Sequence, residues 1–539
     1  MRNHDHNLGR TLAADTATDS TATRAQTMAR LTGLVPCASA AEPPARTWTL
    51  LTRSADQPHS SIANPRRRRQ LAVWFLAFTL RALPVTLAGG LGAVMENDDG
   101  VHFGAALKLW KGAVPYRDFA FVQPPGVLYV LWPFAGLAQV TSERVGMLAA
   151  RLAFATLGAT TALLIYRLVA RKSSSAGLAA GAFYAVSATA IAAERTVMLE
   201  PLLAFALVAS LYVVSDEGRV RPALSGSLIA FGALAKLWML PVAPVVLVFV
   251  WKRFGTAAAR RWLLAATGTA LGLLLPVLVL APTEFVHQTF GYQLGRARVW
   301  GGLSSRLVYF DWLGTPSQLG GPHWTKVMAA AALILLLLSI AAARRADIWV
   351  WGVATGVSAA TVLAAPVFFY HYASFAAAPE CAAVGLLLAG LTQVRSTLGR
   401  RVAALVLVAS AVVAGEGVQQ ARSGTDFPAQ TIMGRLGKEG CVWTRTASVA
   451  IALDRAGSSC AGTLDDYSRI LATGGGTGHL DEFLESADYQ QQTQRDFSKA
   501  AVAVIMPGDM DRWTDETRAA FLQRFTGVER VGQAALYRR

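Results

Sequence analysis

The chain has 539 residues, 53% of them hydrophobic and 16% charged, with a formal net charge of +16 and a mean hydropathy of +0.38. Soluble domains carry about 25% charged residues, and the apolar residues here gather in runs of about 15–22, the length that crosses a hydrocarbon core. This excludes a soluble enzyme with one anchor and describes a polytopic α-helical membrane protein. The basic residues fall in short clusters between apolar runs: Arg66 to Arg69, Arg167 with Arg171 and Lys172, Arg219 with Arg221, Lys252 with Arg253, Arg260 with Arg261, Arg344 with Arg345, and Arg400 with Arg401. That placement follows the positive-inside rule, which accounts for the excess charge without a nucleic-acid partner.

In chain order, residues 1–69 are rich in Ala, Thr, Ser, Arg and Pro and poor in large apolar side chains, as expected of a disordered cytoplasmic tail. No signal-peptide pattern opens the chain, so the first span, at about 71–92, is expected to act as an uncleaved signal anchor. Further spans are expected near 145–169, 176–193, 198–214, 223–235, 238–251, 262–281, 326–343, 347–365, 372–391 and 401–418, about eleven crossings in all. The runs at 223–235 and 238–251 are short and read as a helical hairpin that does not fully cross. The stretch after Pro124-Pro125 reads as a juxtamembrane or re-entrant helix.

With the tail inside, every basic cluster falls on the cytoplasmic side. The loops at 93–144, 194–197, 282–325 and 366–371 fall outside, as does everything after about 418. Residues 70–418 would then be a transmembrane domain of a plasma-membrane protein, and 419–539 a soluble extracytoplasmic α/β domain. Strands are expected at 441–445, 500–507 and 535–538, with helices at 447–456 and 514–524. The four cysteines show no metal-ligand spacing. Cys441 and Cys460 can form a disulfide if that domain faces an oxidising compartment.

Residues 96–126 read ENDDGVHFGAALKLWKGAVPYRDFAFVQPPG and follow directly on the first span. Two adjacent carboxylates, Asp98 and Asp99, therefore stand where a helix leaves the bilayer, a costly position without a partner or a task. They can cap the helix that begins near Val101. They can also supply a general base, since a hydroxyl with a pKa far above 7 needs one to attack a carbon centre. Arg117 and Asp118 suit an ion pair that shapes the PYRDF turn, with Tyr116 beside them, and Pro124-Pro125 is a rigid break that starts a helix. Glu200 inside an apolar run is expensive unless it pairs with Arg195 or Lys236 or serves a site. The loop 282–325 mixes aromatic and basic side chains that suit either a sugar phosphate or a membrane interface. No zinc spacing, P-loop or dinucleotide fingerprint is present.

The set Asp98-Asp99-Gly100, the short helix to Lys111, the turn Pro115 to Phe119 and Gln123-Pro124-Pro125-Gly126 resembles the first extracytoplasmic loop of the C-fold (GT-C) membrane glycosyltransferases. These use polyprenyl-phosphate sugars and include protein O-mannosyltransferases and aminoarabinose transferases; in order and spacing the set is similar to actinobacterial members of mannosyltransferase type. The resemblance spans residues 70–418 in topology but is strong in motif over only about 30 residues.

It implies a transferase that passes a sugar, mannose foremost, from a polyprenyl-phosphate donor to a glycan, glycolipid or protein acceptor. Transfer would invert the anomeric carbon, with Asp98 as base and Asp99 in support. Tyr116, Arg117, Asp118 and Gln123 would line the substrate. In aminoarabinose transferases a lysine precedes the Pro-Pro and holds the lipid phosphate; here Gln123 stands there, so Lys236 is expected to replace it. Glu200 corresponds to an acidic residue of the second outer loop, and His371-Tyr372 to an Arg-Tyr element facing the donor. No cofactor is implied with certainty; the resemblance leaves a divalent metal open, and no metal ligand is assigned. A transporter or flippase of lipid-linked sugars is the competing reading, since it would also have many spans and intramembrane charges. Internal repeat symmetry, expected of many transporters, is not evident. A periplasmic reporter enzyme fused after residue 420 should be active; an inactive one would reverse the orientation.

Overall fold

The computed structural model describes residues 65–215, 220–295, 303–308, 322–345, 348–393, 397, 427–437, 441–457 and 484–539. The expected tail up to residue 64, the span at 401–418, Cys37, Cys460, and residues 296–302 and 309–321 of the long outer loop lie outside them. The membrane part comprises α1 (Pro65–Leu87), α2 (Asn97–Trp110), α3 (Gly126–Val140), α4 (Glu143–Ala170), α5 (Ser174–Ala185), α6 (Ala188–Glu194), α7 (Glu200–Val214), α8 (Pro222–Ala235), α9 (Ala243–Leu280), α10 (Pro322–Ala341), α11 (Trp349–Leu363) and α12 (Ser374–Gln393).

Among the described residues four stretches are long and apolar enough to cross a membrane: Pro65–Leu87, Glu143–Ala170, Leu237–Leu280 and Tyr370–Gly390. The helices α3, α7, α8 and α11 are shorter and apolar. The hairpin expected around residue 236 is formed, with α8 and α9 packed together across a tight turn at Leu237–Met239. The apolar runs at 238–251 and 262–281 fall on either side of a break within α9 at Gly255, where φ is +79° and the backbone is not helical.

The long helix α4 packs against α1, α3, α5, α7 and α12. The basic clusters at 66–69 and 167–172 meet at one end of this bundle; Arg219, Arg400 and Arg401 lie outside the described residues. Arg69 donates to Ser174 Oγ at 2.6 Å, Arg167 to Gln70 Oε1 at 3.1 Å, and Arg171 to the Ser215 carbonyl at 2.8 Å. The first turns of α2 and α7, the end of α8 and the turn before α12 meet one another away from that end, through the contacts described below.

The span expected at 176–193 is broken: α5 and α6 meet at an angle of 56°. A break in hydrocarbon leaves carbonyls that must find donors within the protein. Arg81 of α1 supplies them, donating to the carbonyls of Ala185 (2.9 Å) and Tyr184 (3.3 Å) while its Nε pairs with Glu194. The Tyr184 hydroxyl donates to the other oxygen of Glu194 at 2.6 Å. All three side chains are buried.

The C-terminal segment adds α13 (Ala429–Leu436), β1 (Val442–Trp443), α14 (Ala447–Ala452), α15 (Ala487–Ser498), β2 (Val502–Ile505), α16 (Asp515–Arg524), β3 (Gly527–Val531) and β4 (Ala534–Arg538). The sheet order is β1-β2-β4-β3, with β1 parallel to β2 and the other pairs antiparallel. Period-two alternation sends Val442, Val502 and Val504 to a core with Ile432, Leu436, Val449 and Leu453. Trp443, Ala503 and Ile505 face a second core with Phe497, Trp513 and Phe521. The expected strands at 441–445, 500–507 and 535–538 are present in shorter form; α13, α15 and β3 were not anticipated. Cys441 is disulfide-bonded to a partner outside the described residues.

The Arg81 cluster makes a direct stability prediction. Arg81→Leu leaves Glu194 buried without its counter-charge, which should cost about 3–5 kcal/mol. Thermal unfolding in detergent measures it, and a loss under about 1 kcal/mol would mean the carboxylate finds another partner.

Candidate active site

Asp98 and Asp99 occupy the first turn of α2, and the fold gives them opposite environments. Asp99 is fully buried. Its Oδ2 accepts from Arg151 Nε at 2.9 Å and from the same guanidinium's Nη2, and its Oδ1 accepts from the Val197 backbone N–H at 3.0 Å. Arg151, on α4, also donates to the Ala93 carbonyl at 2.9 Å. Both oxygens of Asp99 are thus committed to holding α2, α4 and the α6–α7 junction together. Asp98 is half-buried, and its carboxylate has no hydrogen-bond or ion-pair partner among the described residues. Of the two, it alone keeps lone pairs available to a substrate proton.

One turn on, His102 lies buried with Nδ1 3.0 Å from the Val197 carbonyl, which can only accept, so Nδ1 carries the proton. Phe121 meets the ring edge-on at 6.4 Å. Burial pushes the His102 pKa below its ordinary value, against the upward pull of Asp98, the Val197 carbonyl, Glu200 and Asp99. The imidazole is neutral at neutral pH and stands among three carboxylates.

The first turn of α7 and the end of α8 complete this face. Glu200 is buried and pairs with Lys236 Nζ at 2.5 Å. The same ammonium lies 3.6 Å from the ring centroid of Trp238 and 4.0 Å from that of Tyr372, an aromatic cage for a cation. Trp238 and Tyr372 meet edge to face at 4.5 Å. Tyr372 and His371 belong to the turn Tyr370–Ala373 before α12. Among the described residues, His371 Nδ1 is buried with no hydrogen-bond partner, and the Tyr370 hydroxyl donates to Glu96, immediately before α2. Contacts and short stretches of chain therefore link Glu96, Tyr370, Tyr372, Lys236, Glu200, Val197 and Asp99 into a ring.

Gln123 donates nothing from its side chain among the described residues; its carbonyl accepts the Tyr116 hydroxyl at 2.6 Å. Tyr116 is buried, held at φ +70°, and packed edge-on against Phe121 and Phe285. Burial raises its pKa well above the phenolic value. It shapes the turn instead of presenting a hydroxyl to solvent. Arg117 and Asp118 form the expected ion pair at 2.8 Å, and Asp118 also accepts from the Val114 N–H at 2.7 Å. These two contacts hold the Asp118 carboxyl down at about 2. The following element reaches the Lys236 region: a Cβ on Gly126 would lie 2.6 Å from the Leu234 carbonyl oxygen.

The expected residues thus fall into two groups. Asp98, Asp99, Glu200, Lys236, His371 and Tyr372 lie on the ring or beside it, whereas Tyr116, Arg117 and Asp118 build the loop that carries Gln123. Sequence reasoning missed Arg151, His102, Glu96 and Tyr370. Arg151 had a signal, being an arginine inside the run expected at 145–169. His102 had another, lying four residues beyond Asp98 on one helical face. Among the described residues, no three His, Cys, Asp or Glu side chains group as metal ligands.

The chain's fold is similar to that of ArnT from Cupriavidus metallidurans, in its structure bound to undecaprenyl phosphate and in its apo structure. Each gives a TM-score of 0.53 at 14% identity over 88% of this chain, covering 97% and 96% of those chains. Archaeoglobus fulgidus oligosaccharyltransferase AglB, in complex with an inhibitory peptide and a dolichol-phosphate, gives 0.47 at 11% identity, over 88% of this chain and 74% of that one. No family model and no curated protein matches the sequence. The chain is a mostly helical multi-span membrane protein whose fold is similar to that of ArnT, with a small C-terminal mixed sheet.

The His102 environment fixes a pH dependence. Its folded-state pKa is lowered, so the unfolded chain binds more protons just below the ordinary 6.5. Stability therefore rises with pH through that window and is lost as pH falls below about 6.5. Melting temperature followed from pH 7.5 to pH 5 should drop, and His102→Gln should flatten that part of the profile. An unchanged slope in the variant would assign the acid sensitivity to other groups.

Proposed function

We propose that this protein transfers a sugar from a polyprenyl-phosphate donor to an acceptor hydroxyl at the extracytoplasmic face of the plasma membrane. The observation that carries the reading is the division of labour between adjacent carboxylates: Asp99 is consumed by Arg151 and Val197, while Asp98 is half-exposed and has no hydrogen-bond or ion-pair partner among the described residues. A base must be held rigidly and yet keep a lone pair for the incoming proton. Asp98 meets both demands because its neighbour is locked.

In the proposed step the acceptor oxygen attacks the anomeric carbon from the side opposite the phosphate. Its proton passes to Asp98, the bond from that carbon to the phosphate oxygen breaks, and polyprenyl phosphate leaves with inversion. The phosphate needs a cation, and Gln123 has none. Lys236 stands where the Pro-Pro element lands, because Gly126 abuts Leu234, two residues before it. Glu200, Trp238 and Tyr372 hold its ammonium at the site, and the buried, unpartnered Nδ1 of His371 lies beside Tyr372. The GT-C-like fold, together with the undecaprenyl phosphate in one ArnT structure, supports a lipid-phosphate donor. Mannose is the sugar that the resemblance of the first loop favours; the acceptor is a glycan, a glycolipid or a protein.

The orientation rests on two supports. The basic clusters at 66–69 and 167–172 meet at the end of the bundle away from Asp98, and the disulfide-bonded Cys441 suits an oxidising compartment for the C-terminal domain.

Reconstituted with radiolabelled polyprenyl-phosphate mannose and envelope acceptors, the wild-type chain should transfer sugar. Asp98→Asn should lose about 100- to 10,000-fold in turnover, the usual worth of a general base, and still bind donor. Equal turnover by both would remove Asp98 as base. Counter-flow of the lipid-linked sugar without any transfer would establish a transporter instead.

A further inference from the structure

We propose that Ser448, in the C-terminal domain, is a positioning residue for the Asp98 site, capping from a distance the helix that carries both aspartates. The inference rests on the reading of Asp98 as base. It adds that the C-terminal domain is part of the catalytic frame.

The helix α2 begins without a side-chain cap of its own. Glu96 occupies the N-cap position in extended conformation with no side-chain cap bond, and its carboxylate accepts from Tyr370 instead. The early N–H groups of a helix need partners from outside it. Ser448, in the first turns of α14, provides one from 348 residues away. Its Oγ accepts from the Gly100 N–H at 3.1 Å and donates to the Glu96 carbonyl. These are the N–H and C=O that flank the first turn of α2, with Asp98 and Asp99 between them. A single hydroxyl therefore ties both ends of the turn on which the base stands.

Sequence and packing agree on this docking. A Cβ on Gly100 would overlap the backbone nitrogen, Cα and Oγ of Ser448, so the residue after Asp98-Asp99 must be glycine for α14 to reach the helix. Ser448 itself is 2% exposed. The far end of α2 is held by the same segment, since Lys111 at its C-cap donates to the Gly457 carbonyl at 2.9 Å. Between these points, Glu143 accepts from the N–H groups of Ala456 (2.8 Å) and Gly457 (2.7 Å). Arg144 pairs with Asp454 at 2.9 Å. Glu143 and Arg144 open α4, the helix whose Arg151 locks Asp99. Residues 448–457 thus clasp α2 at both ends and α4 at its start. Removing an N-cap hydroxyl loosens the first turn, and a reacting group displaced by about 1 Å can lose two orders of magnitude in rate.

The test uses the full-length protein and two independent readouts, amide hydrogen exchange over residues 97–103 and transfer from polyprenyl-phosphate mannose. Ser448→Ala should speed exchange at Gly100 and its neighbours by about fivefold, the usual scale for a lost cap. Its kcat should fall at least as much, with donor KM within twofold of wild type and the exchange of β2 and β4 unchanged. Ser448→Thr, which keeps the oxygen, should stay close to wild type in both. Wild-type exchange over 97–103 in Ser448→Ala overturns the cap, and faster exchange with unchanged kcat overturns its positioning role. Turnover by Asp98→Asn would overturn the base assignment, while the exchange measurement still decides whether Ser448 caps α2.

Discussion

The structure depends on the burial of one of two adjacent carboxylates. Asp99 sits in the protein interior against Arg151, with the Val197 N–H on its other oxygen. A buried pair of this kind adds little net stability, because desolvating both charges offsets most of their attraction, but losing one partner is severe. Its value is positional. It fixes α2 relative to α4 and to the junction ahead of α7, and so fixes where the neighbouring carboxylate points.

Two other buried pairs repeat the arrangement. Arg81 with Glu194 closes the break between α5 and α6, and Lys236 with Glu200 joins the end of α8 to the start of α7. Each pair stands where helical hydrogen bonding is interrupted, where backbone groups already need polar partners. The sequence separations are 113 and 36 residues, so each pair links segments that local propensity cannot bring together. The charges that look expensive along the chain are the joints of the bundle.

The membrane character, the hairpin at residue 236 and the loop bearing Asp98 were legible because they rest on local signals: apolar run length, charge placement and the DDG, PYRDF and QPPG elements. The bend between α5 and α6 was not, since Ser187 in an apolar run gives no warning of a 56° turn. The different environments of Asp98 and Asp99 were equally hidden, because they depend on an arginine 52 residues away from Asp99. In the C-terminal segment, Val442 and Val502 to Ile505 announced strands by composition. The strand Gly527–Val531 did not, because its residues are mostly exposed and it is held chiefly by pairing with β4. Tyr116 was expected to line the substrate from the resemblance of its loop; its φ of +70° and burial are tertiary facts that the sequence does not carry.

The substitution at Gln123 ties these observations together. A cation next to Asp98 would be drawn toward its carboxylate and, on the proposed reading, would compete with the substrate proton for it. Placed at residue 236 instead, the ammonium is balanced by Glu200 and packed against two aromatic faces. An ammonium presents three donors, and a carboxylate and two ring faces hold it without fixing it in a single geometry. On the proposed reading this separates the group that meets the phosphate from the group that takes the proton. The neutral His102 lies between Asp98 and Glu200 in electrostatic reach. Keeping it neutral prevents a second cation from forming beside Asp98, and burial is what keeps it so.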